Sequence, residues 1–414
     1  MVIALVGTRI QGVAIYWDVY SRTDEVLWLA IVGLVQVIPV FLLALPAGYL
    51  ADRFDRKKVL IVGLTGTSLT SLGLACLSLF DVGVGWMLAL LMLDAALHSI
   101  TWPARTALAP QLVPADMFAN AMTWRSMGFQ VSAVVGPAVG GLVLIVSVPG
   151  AYVISALSTA VFAATILPLR CRYAQPSVHR SSSWSQSVHS MLDGVRFVLR
   201  KRILLAVIAL DMFAVLFGGC VYLLPIFTKH ILKVGEVGYG WLNAAPAVGA
   251  LLTALVIAHM PPMRKAGRAL LLAVAGFGVA TIVFGLSRSF WLSWAMLFMT
   301  GVFDNVSVVV RHTLVQLLTP DPMRGRVSAV NSIFISSSNE LGGFESGTVA
   351  HWFGPVVSVV SGGVGTLLVV AAAAVVSPTL RRFGALHDAR PDEQEGPERE
   401  ALEIEVREDV LGDS

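Results

Sequence analysis

Twelve apolar stretches, each close to the length of a bilayer-crossing helix, run through this 414-residue chain. A helix needs roughly 20 apolar residues to cross the hydrocarbon core. That ruler places spans at 2–20, 26–51, 58–80, 84–110, 117–146, 149–169, 203–228, 236–259, 268–287, 289–318, 325–350 and 353–377. Composition agrees: 56 % of residues are hydrophobic, 13 % are charged and the mean hydropathy is +0.77. Soluble domains are about 45–50 % apolar and about 25 % charged. The expected fold class is therefore all-α, a polytopic protein with the lipid bilayer as its solvent. Cys76, Cys171 and Cys220 lie far apart, so neither a disulfide framework nor a metal site is expected. The chain opens directly on an apolar stretch, without the basic segment or cleavage site of a signal peptide.

Charge then gives the spans a direction. The loops after spans two, six, eight, ten and twelve carry Arg53, Arg56, Lys57 and Lys58, a long run from Arg170 to Arg202, and later Arg264, Lys265, Arg268, Arg324, Arg326, Arg381 and Arg382. The opposite loops hold only Arg22, Lys229, Lys233 and Arg288, which makes 18 against 4. Lys and Arg mark cytoplasmic loops. Both termini are thus expected in the cytoplasm of a multi-pass cell (inner) membrane protein.

The spans fall into two sets of six. Residues 1–169 read as an N-terminal bundle, 170–202 as a Ser- and Arg-rich cytoplasmic linker, and 203–380 as a C-terminal bundle. Residues 381–414 form an acidic tail, with 11 of the 26 acidic residues from Asp388 onward, and read as a disordered extension. The halves echo each other: QLVPAD at 111–116 recurs as QLLTPD at 316–321, each after a span carrying an aspartate and an arginine. Duplicated halves around a central cavity are a recurring transporter architecture.

Two motifs point to a family. GYLADRFDRKK, starting at Gly48, resembles the loop signature of the major facilitator superfamily, with Gly48, Asp52, Arg53, Arg56 and Lys57 in order. Asp55 stands where the signature usually has glycine, the form typical of the drug:proton antiporter branch that includes enterobactin exporters and related drug efflux proteins. GPAVGG at 136–141 resembles the fifth-helix motif of proton-coupled exporters, supplying Gly136, Pro137, Gly140 and Gly141. Three glycines let another helix approach closely, and the proline bends the helix. The resemblance implies a major facilitator fold of twelve helices, an Asp52 that pairs with helix ends and basic groups of a neighbouring helix and so locks the outward-facing state, and a glycine face on which helices rock.

Ionisable groups inside spans cost several kcal/mol and usually face a cavity. Asp94, His98, Thr101 and Arg105 share one face of the fourth span. Asp304 and Arg311 are seven residues apart on the tenth, and Ser336, Glu340, Gly343 and Gly347 line one face of the eleventh. Asp94 with His98, then Asp304 and Glu340, are the expected proton carriers or cavity residues. Arg105, Arg125 and Arg311 are expected to form ion pairs. Asp18 and Asp211 read equally well as helix-end charges.

Enzyme classes find no support: HExxH, GxSxG and GxxxxGK[ST] are all missing, so ATP is not the direct energy source. No cofactor and no nucleic-acid partner are expected. The reading is a functional monomer that exchanges protons for a hydrophobic or amphipathic small molecule, of drug or siderophore type, by alternating access. Uptake on the same fold and a non-transporting membrane sensor are the alternatives.

Overall fold

A computed structural model describes residues 1–169, 184–260, 265–377 and 380–381. The start of the linker, residues 170–183, and the tail from 382 lie outside the described residues, as does the Asp52 side chain. The N-terminal bundle comprises α1 (Val2–Thr23), α2 (Val26–Arg53), α3 (Arg56–Leu79), α4 (Val84–Leu112), α5 (Phe118–Val146) and α6 (Val148–Ile166). A helix inside the linker, α7 (Trp184–Arg200), precedes α8 (Arg202–Phe217). After α8 the seventh span breaks into a 3₁₀ turn (Cys220–Leu223), a single α turn, α9 (Leu224–Ile226), and a π turn (Phe227–Ile231). The rest is α10 (Gly235–Ala258), α11 (Ala266–Leu286), α12 (Phe290–Leu318), α13 (Asp321–Phe353) and α14 (Pro355–Val376).

Local chemistry sets the turns. Asp24 ends α1 in the left-handed region with φ 52°. The Asp55 side chain accepts a hydrogen bond from Lys57 N at 2.9 Å, so the residue that departs from the loop signature is the N-cap of α3. Ser147 caps α6 in the same way. Gly354, at φ 90°, lets α13 turn directly into Pro355 at the start of α14.

Helix packing repeats between the halves. In the N-terminal bundle α1 packs on α5 and α6, α3 on α4 and α6, and α2 on α4. In the C-terminal bundle α8 packs on α13 and α14, α11 on α12 and α14, and α10 on α12. The bundles meet along two equivalent seams, α2 with α13 and α5 with α10. Among the described residues, eleven segments are long and apolar enough to cross a membrane. Of the twelve expected spans, only α13 falls short. It occupies the place that α5 holds in the other half, and a run of serines, asparagines and Glu340 lowers its hydropathy.

Two structural details differ from the sequence reading. The stretch 170–202 is not all linker, because α7 lies against α13. Val195 and Val198 join a cluster with Leu204, Ile208, Val315, Val327 and Val330, and Arg326 approaches Asp193 at 3.5 Å. The seventh span, in turn, is not one continuous helix.

Asp18, open to two readings in the sequence, is held by three groups. Arg22 Nε donates to it at 2.6 Å, Ser78 at 2.8 Å and Tyr152 at 3.1 Å, tying α1 to α3 and α6. Removing one partner of a buried ion pair costs about 3–5 kcal/mol. Asp18→Asn is expected to fall near the low end, about 3 kcal/mol, because Arg22 keeps Asp81 and the Ser78 carbonyl. A fall in the melting temperature of purified protein checks it. An unchanged Tm would remove Asp18 as a structural hub.

Candidate functional site

The two bundles are tied together at the end away from the termini. Tyr239 donates to the Val13 carbonyl at 3.1 Å, and Lys229 donates to Asp24 at 2.7 Å with its ammonium over the Tyr20 ring. Trp17 packs on Tyr239 and Tyr16 edge-on to Tyr222. These contacts between the bundles lie between the middle of the spans and the end away from the termini. The seams narrow there too. A Cβ on Gly141 would sit 2.6 Å from Gly240 Cα, one on Gly33 would sit 2.8 Å from the Glu340 carbonyl, and one on Gly347 would meet Ala30 at 2.8 Å. Gly48, at the terminal end, has nothing within 4 Å. At Gly48 itself no other helix lies close in this conformation.

Asp24 lies outside the spans, and the hydrogen-bonded Lys229, with His230 behind it, holds its carboxyl below the ordinary 3.8. A depressed carboxylate strengthens this latch above that value and loses its contribution only as pH falls through the lowered one. The Asp24 side of the latch is therefore expected to be insensitive between pH 5 and 8. Salt should loosen it, because the Debye length drops from about 10 Å at 0.1 M to about 3 Å at 1 M. Spin-label distances between positions 25 and 233 would broaden with salt and stay fixed with pH. The opposite pattern would assign the latch to His230.

The fifth-helix motif divides its work between two neighbours. Gly136 and Gly140 face α1, where a Cβ at Gly136 would strike Arg9 and one at Gly140 would touch Ile10 and Val13. Ser132 continues this face, donating to Gly128 O at 2.6 Å and lying 3.3 Å from Val2 O. Gly141 faces α10 of the other bundle. Pro137 lies within α5, and its carbonyl is among the atoms nearest Gly240.

The loop signature holds the terminal end of the N-terminal bundle. Lys57 Nζ donates to the carbonyls of Leu167 and Leu169, both at 2.8 Å, which neutralises the carbonyl end of α6. Arg53 reaches Tyr49 on its own helix. Arg56 opens α3.

Asp94 lies in a buried network between α1, α3 and α4. Thr70 donates to one carboxylate oxygen at 2.6 Å and Gln11 to the other at 3.3 Å, while Ser71 donates to Gln11 at 2.6 Å. His98 lies within electrostatic reach. In the C-terminal bundle Arg311 pairs with Asp211 at 3.0 Å and reaches Asn331 at 3.4 Å. Asp304 lines a crevice with Asp211 and Ser307, so two acids share one arginine. Arg105, expected in an ion pair, has no such pair among the described residues. No acid partner is described for it: its guanidinium lies over the Phe162 ring at 5.2 Å, with Arg125 as the neighbouring charge.

Glu340 is placed differently from the other acids. It sits on α13 at the seam, and its Oε2 is buried with no hydrogen-bond partner. Tyr16 of α1 and Tyr222 of the broken seventh span lie within its electrostatic reach, and Gln36 of α2 donates to the Tyr16 hydroxyl at 3.2 Å. Arg9 of α1 acts on Tyr222 from the other bundle. Four helices from both halves thus converge on one unpartnered carboxyl. Tyr16, Gln36 and Tyr222 escaped the sequence reading: aromatic residues in apolar spans are too common to single out, and Gln36 stands alone among apolar residues with no spacing pattern. The Gly218-Gly219 break just before Tyr222 was the available signal.

A family model described as a transmembrane secretion effector matches residues 1–409. The chain belongs to the transmembrane secretion effector family. Curated relatives of this chain include enterobactin exporter EntS from Shigella boydii serotype 4 (strain Sb227), 26 % identical over 387 residues, with 92 % of this chain and 91 % of that protein covered. EntS from Escherichia coli O1:K1 / APEC is 25 % identical over 383 residues, at the same coverage. Among solved structures, a bacterial homologue of the human lysosomal transporter Spinster, inward-facing and occupied, gives a TM-score of 0.70 at 14 % identity, covering 91 % of this chain and 96 % of that one. A point mutant of the nucleoside transporter NupG gives 0.69 at 12 % identity, covering 90 % and 98 %. The fold is that of the major facilitator superfamily. The chain is a multi-pass membrane protein and a secondary transporter of a small molecule, not an enzyme.

Proposed function

We propose that this protein exports a hydrophobic or amphipathic small molecule across the inner membrane in exchange for protons. Its termini and loop signature lie in the cytoplasm, the contacts that tie the bundles at the far end support an inward-facing conformation, and the transporter works as a monomer. The observation that carries this reading is Glu340: a buried, unpartnered carboxyl at the meeting point of both bundles. A proton or a donor group on the substrate can satisfy it, but the protein itself does not. Competition between the two couples their movements. A ligand shifts a two-state equilibrium only through unequal affinity for the states, and Glu340 lies where the states differ.

The basic loops support a cytoplasmic terminal end. Similarity to enterobactin exporters supports outward transport and a substrate of siderophore or drug type. Asp94 and Asp304 serve as second-line proton groups, since each lies within one bundle and has neighbours that satisfy or share its charge. The test is everted membrane vesicles with an acidic lumen and a compound panel. Export predicts accumulation that collapses with the proton gradient. Accumulation without proton dependence would end the coupling, and accumulation only in right-side-out vesicles would make the protein an uptake permease.

A further inference from the structure

Inside the N-terminal bundle, away from the seam, α1, α3, α4 and α6 enclose a crevice lined by Ala4, Thr8, His98, Thr101, Arg105 and Thr159 among others. Two of its polar atoms, Arg105 Nη2 and Thr159 Oγ1, are buried without any hydrogen-bond partner. The hydroxyls of Thr8 and Thr101 are occupied. Thr8 donates to Ala4 O at 2.9 Å, and Thr101 lies 2.9 Å from Leu97 O and 3.1 Å from His98 O. No acid lines the crevice. The charges within electrostatic reach of Arg105 are Arg125, the N-terminal ammonium and His98, none of them negative. The Asp94 oxygens nearby are already engaged by Thr70 and Gln11.

Arg105 is half-buried, and a guanidinium whose Nη2 is buried without a partner or a counter-charge is an unfavourable arrangement. Stacking on Phe162 offsets part of it but leaves Nη2 unsatisfied. A water molecule would complete the hydrogen bonds and leave the charge. The space accommodates one or two water-sized atoms, which is too little for a phosphate. We propose that this crevice binds a small monovalent anion of chloride or formate size, held by Arg105 Nη2 and Thr159 Oγ1. The site is separate from the transported compound, because it lies within one bundle. It does not depend on the direction or coupling of transport.

The experiment is binding of radiolabelled chloride to the purified full-length protein in a neutral detergent, exchanged from gluconate. The expected result is saturable binding of about one ion per chain, displaced by formate but not by gluconate. Arg105→Gln abolishes it, while the exposed Arg288→Gln leaves it intact. Thr159→Val weakens it about tenfold, the effect of losing one charge-assisted hydrogen bond. Should Arg105→Gln fail to fold, Thr159→Val and Arg105→Lys carry the test through the affinity. In melting scans chloride and formate raise the wild-type Tm, and Thr159→Val shifts that response to higher concentration. Absence of saturable binding to wild type overturns the site, as does binding unchanged in the Arg105 and Thr159 variants. Stabilisation by anionic lipid alone, with no response to free anions, also overturns it and gives Arg105 to a lipid headgroup.

Discussion

Replacing Gly141 by leucine is expected to hold the bundles apart at the end away from the termini and to stop transport. The reason is backbone, not side chain. A Cβ at Gly141 would meet Gly240 Cα at 2.6 Å, and Glu236 O and Gly240 N at 2.9 Å. None of these atoms can rotate away, so the helices themselves must move. Overpacking of this kind costs about 1–3 kcal/mol, which moves a two-state equilibrium by about 5- to 150-fold. The described conformation is the one penalised, and the population shifts toward the state open at the opposite end. Cysteine accessibility near Trp17 and Tyr239, which pack together across the closed end, would rise in the variant. Gly141→Ala should produce the same change more weakly. Gly48 supplies the contrast: an added methyl meets nothing within 4 Å in this conformation. A transport defect in Gly48→Ala would therefore report on the other state, in which the terminal end closes. Wild-type transport and accessibility in Gly141→Leu would mean that the α5–α10 seam does not have to close.

This case also marks how far the sequence can be read. The repeated small residues of α5 made a close helix contact legible, and composition with loop charge made the membrane fold legible. The partner was not. Periodicity reports which face is smooth, but Gly240 lies 99 residues away in the other half and has no local sign of its role. The helix in the linker was hidden for a related reason: Ser and Arg dominate 170–202, and the helically spaced Val195 and Val198 find their partners only in α8, α12 and α13. Among the buried ionisable residues, spacing grouped Asp94 with His98 and placed Glu340 on a glycine face. Spacing cannot reveal whether a carboxyl is satisfied. That depends on Thr70 and Gln11 arriving from other helices at Asp94, and on no donor arriving at Glu340 Oε2.

That difference orders the proton candidates and leads to the second large effect. Glu340→Gln is expected to insert and fold, because the isosteric amide replaces a carboxyl whose Oε2 has no protein partner to lose. It should nevertheless lose proton-driven accumulation, leaving substrate at a ratio of about one across the vesicle membrane, since a group that cannot bind a proton gives the proton no preference between states. Downhill exchange of substrate should survive, because the seam contacts at Gly33, Gly141 and Gly347 are untouched. Asp94→Asn makes the opposite comparison. Thr70 and Gln11 both donate to Asp94, so the amide NH₂ must face one of those donors and disturb the α1–α3–α4 network. Its main effect should appear in the melting temperature as well as in transport. If Glu340→Gln still accumulates substrate with an unchanged pH dependence while Asp94→Asn, folded and stable, does not, then the coupling proton is carried inside the N-terminal bundle and the unpartnered carboxyl at the seam serves only the substrate.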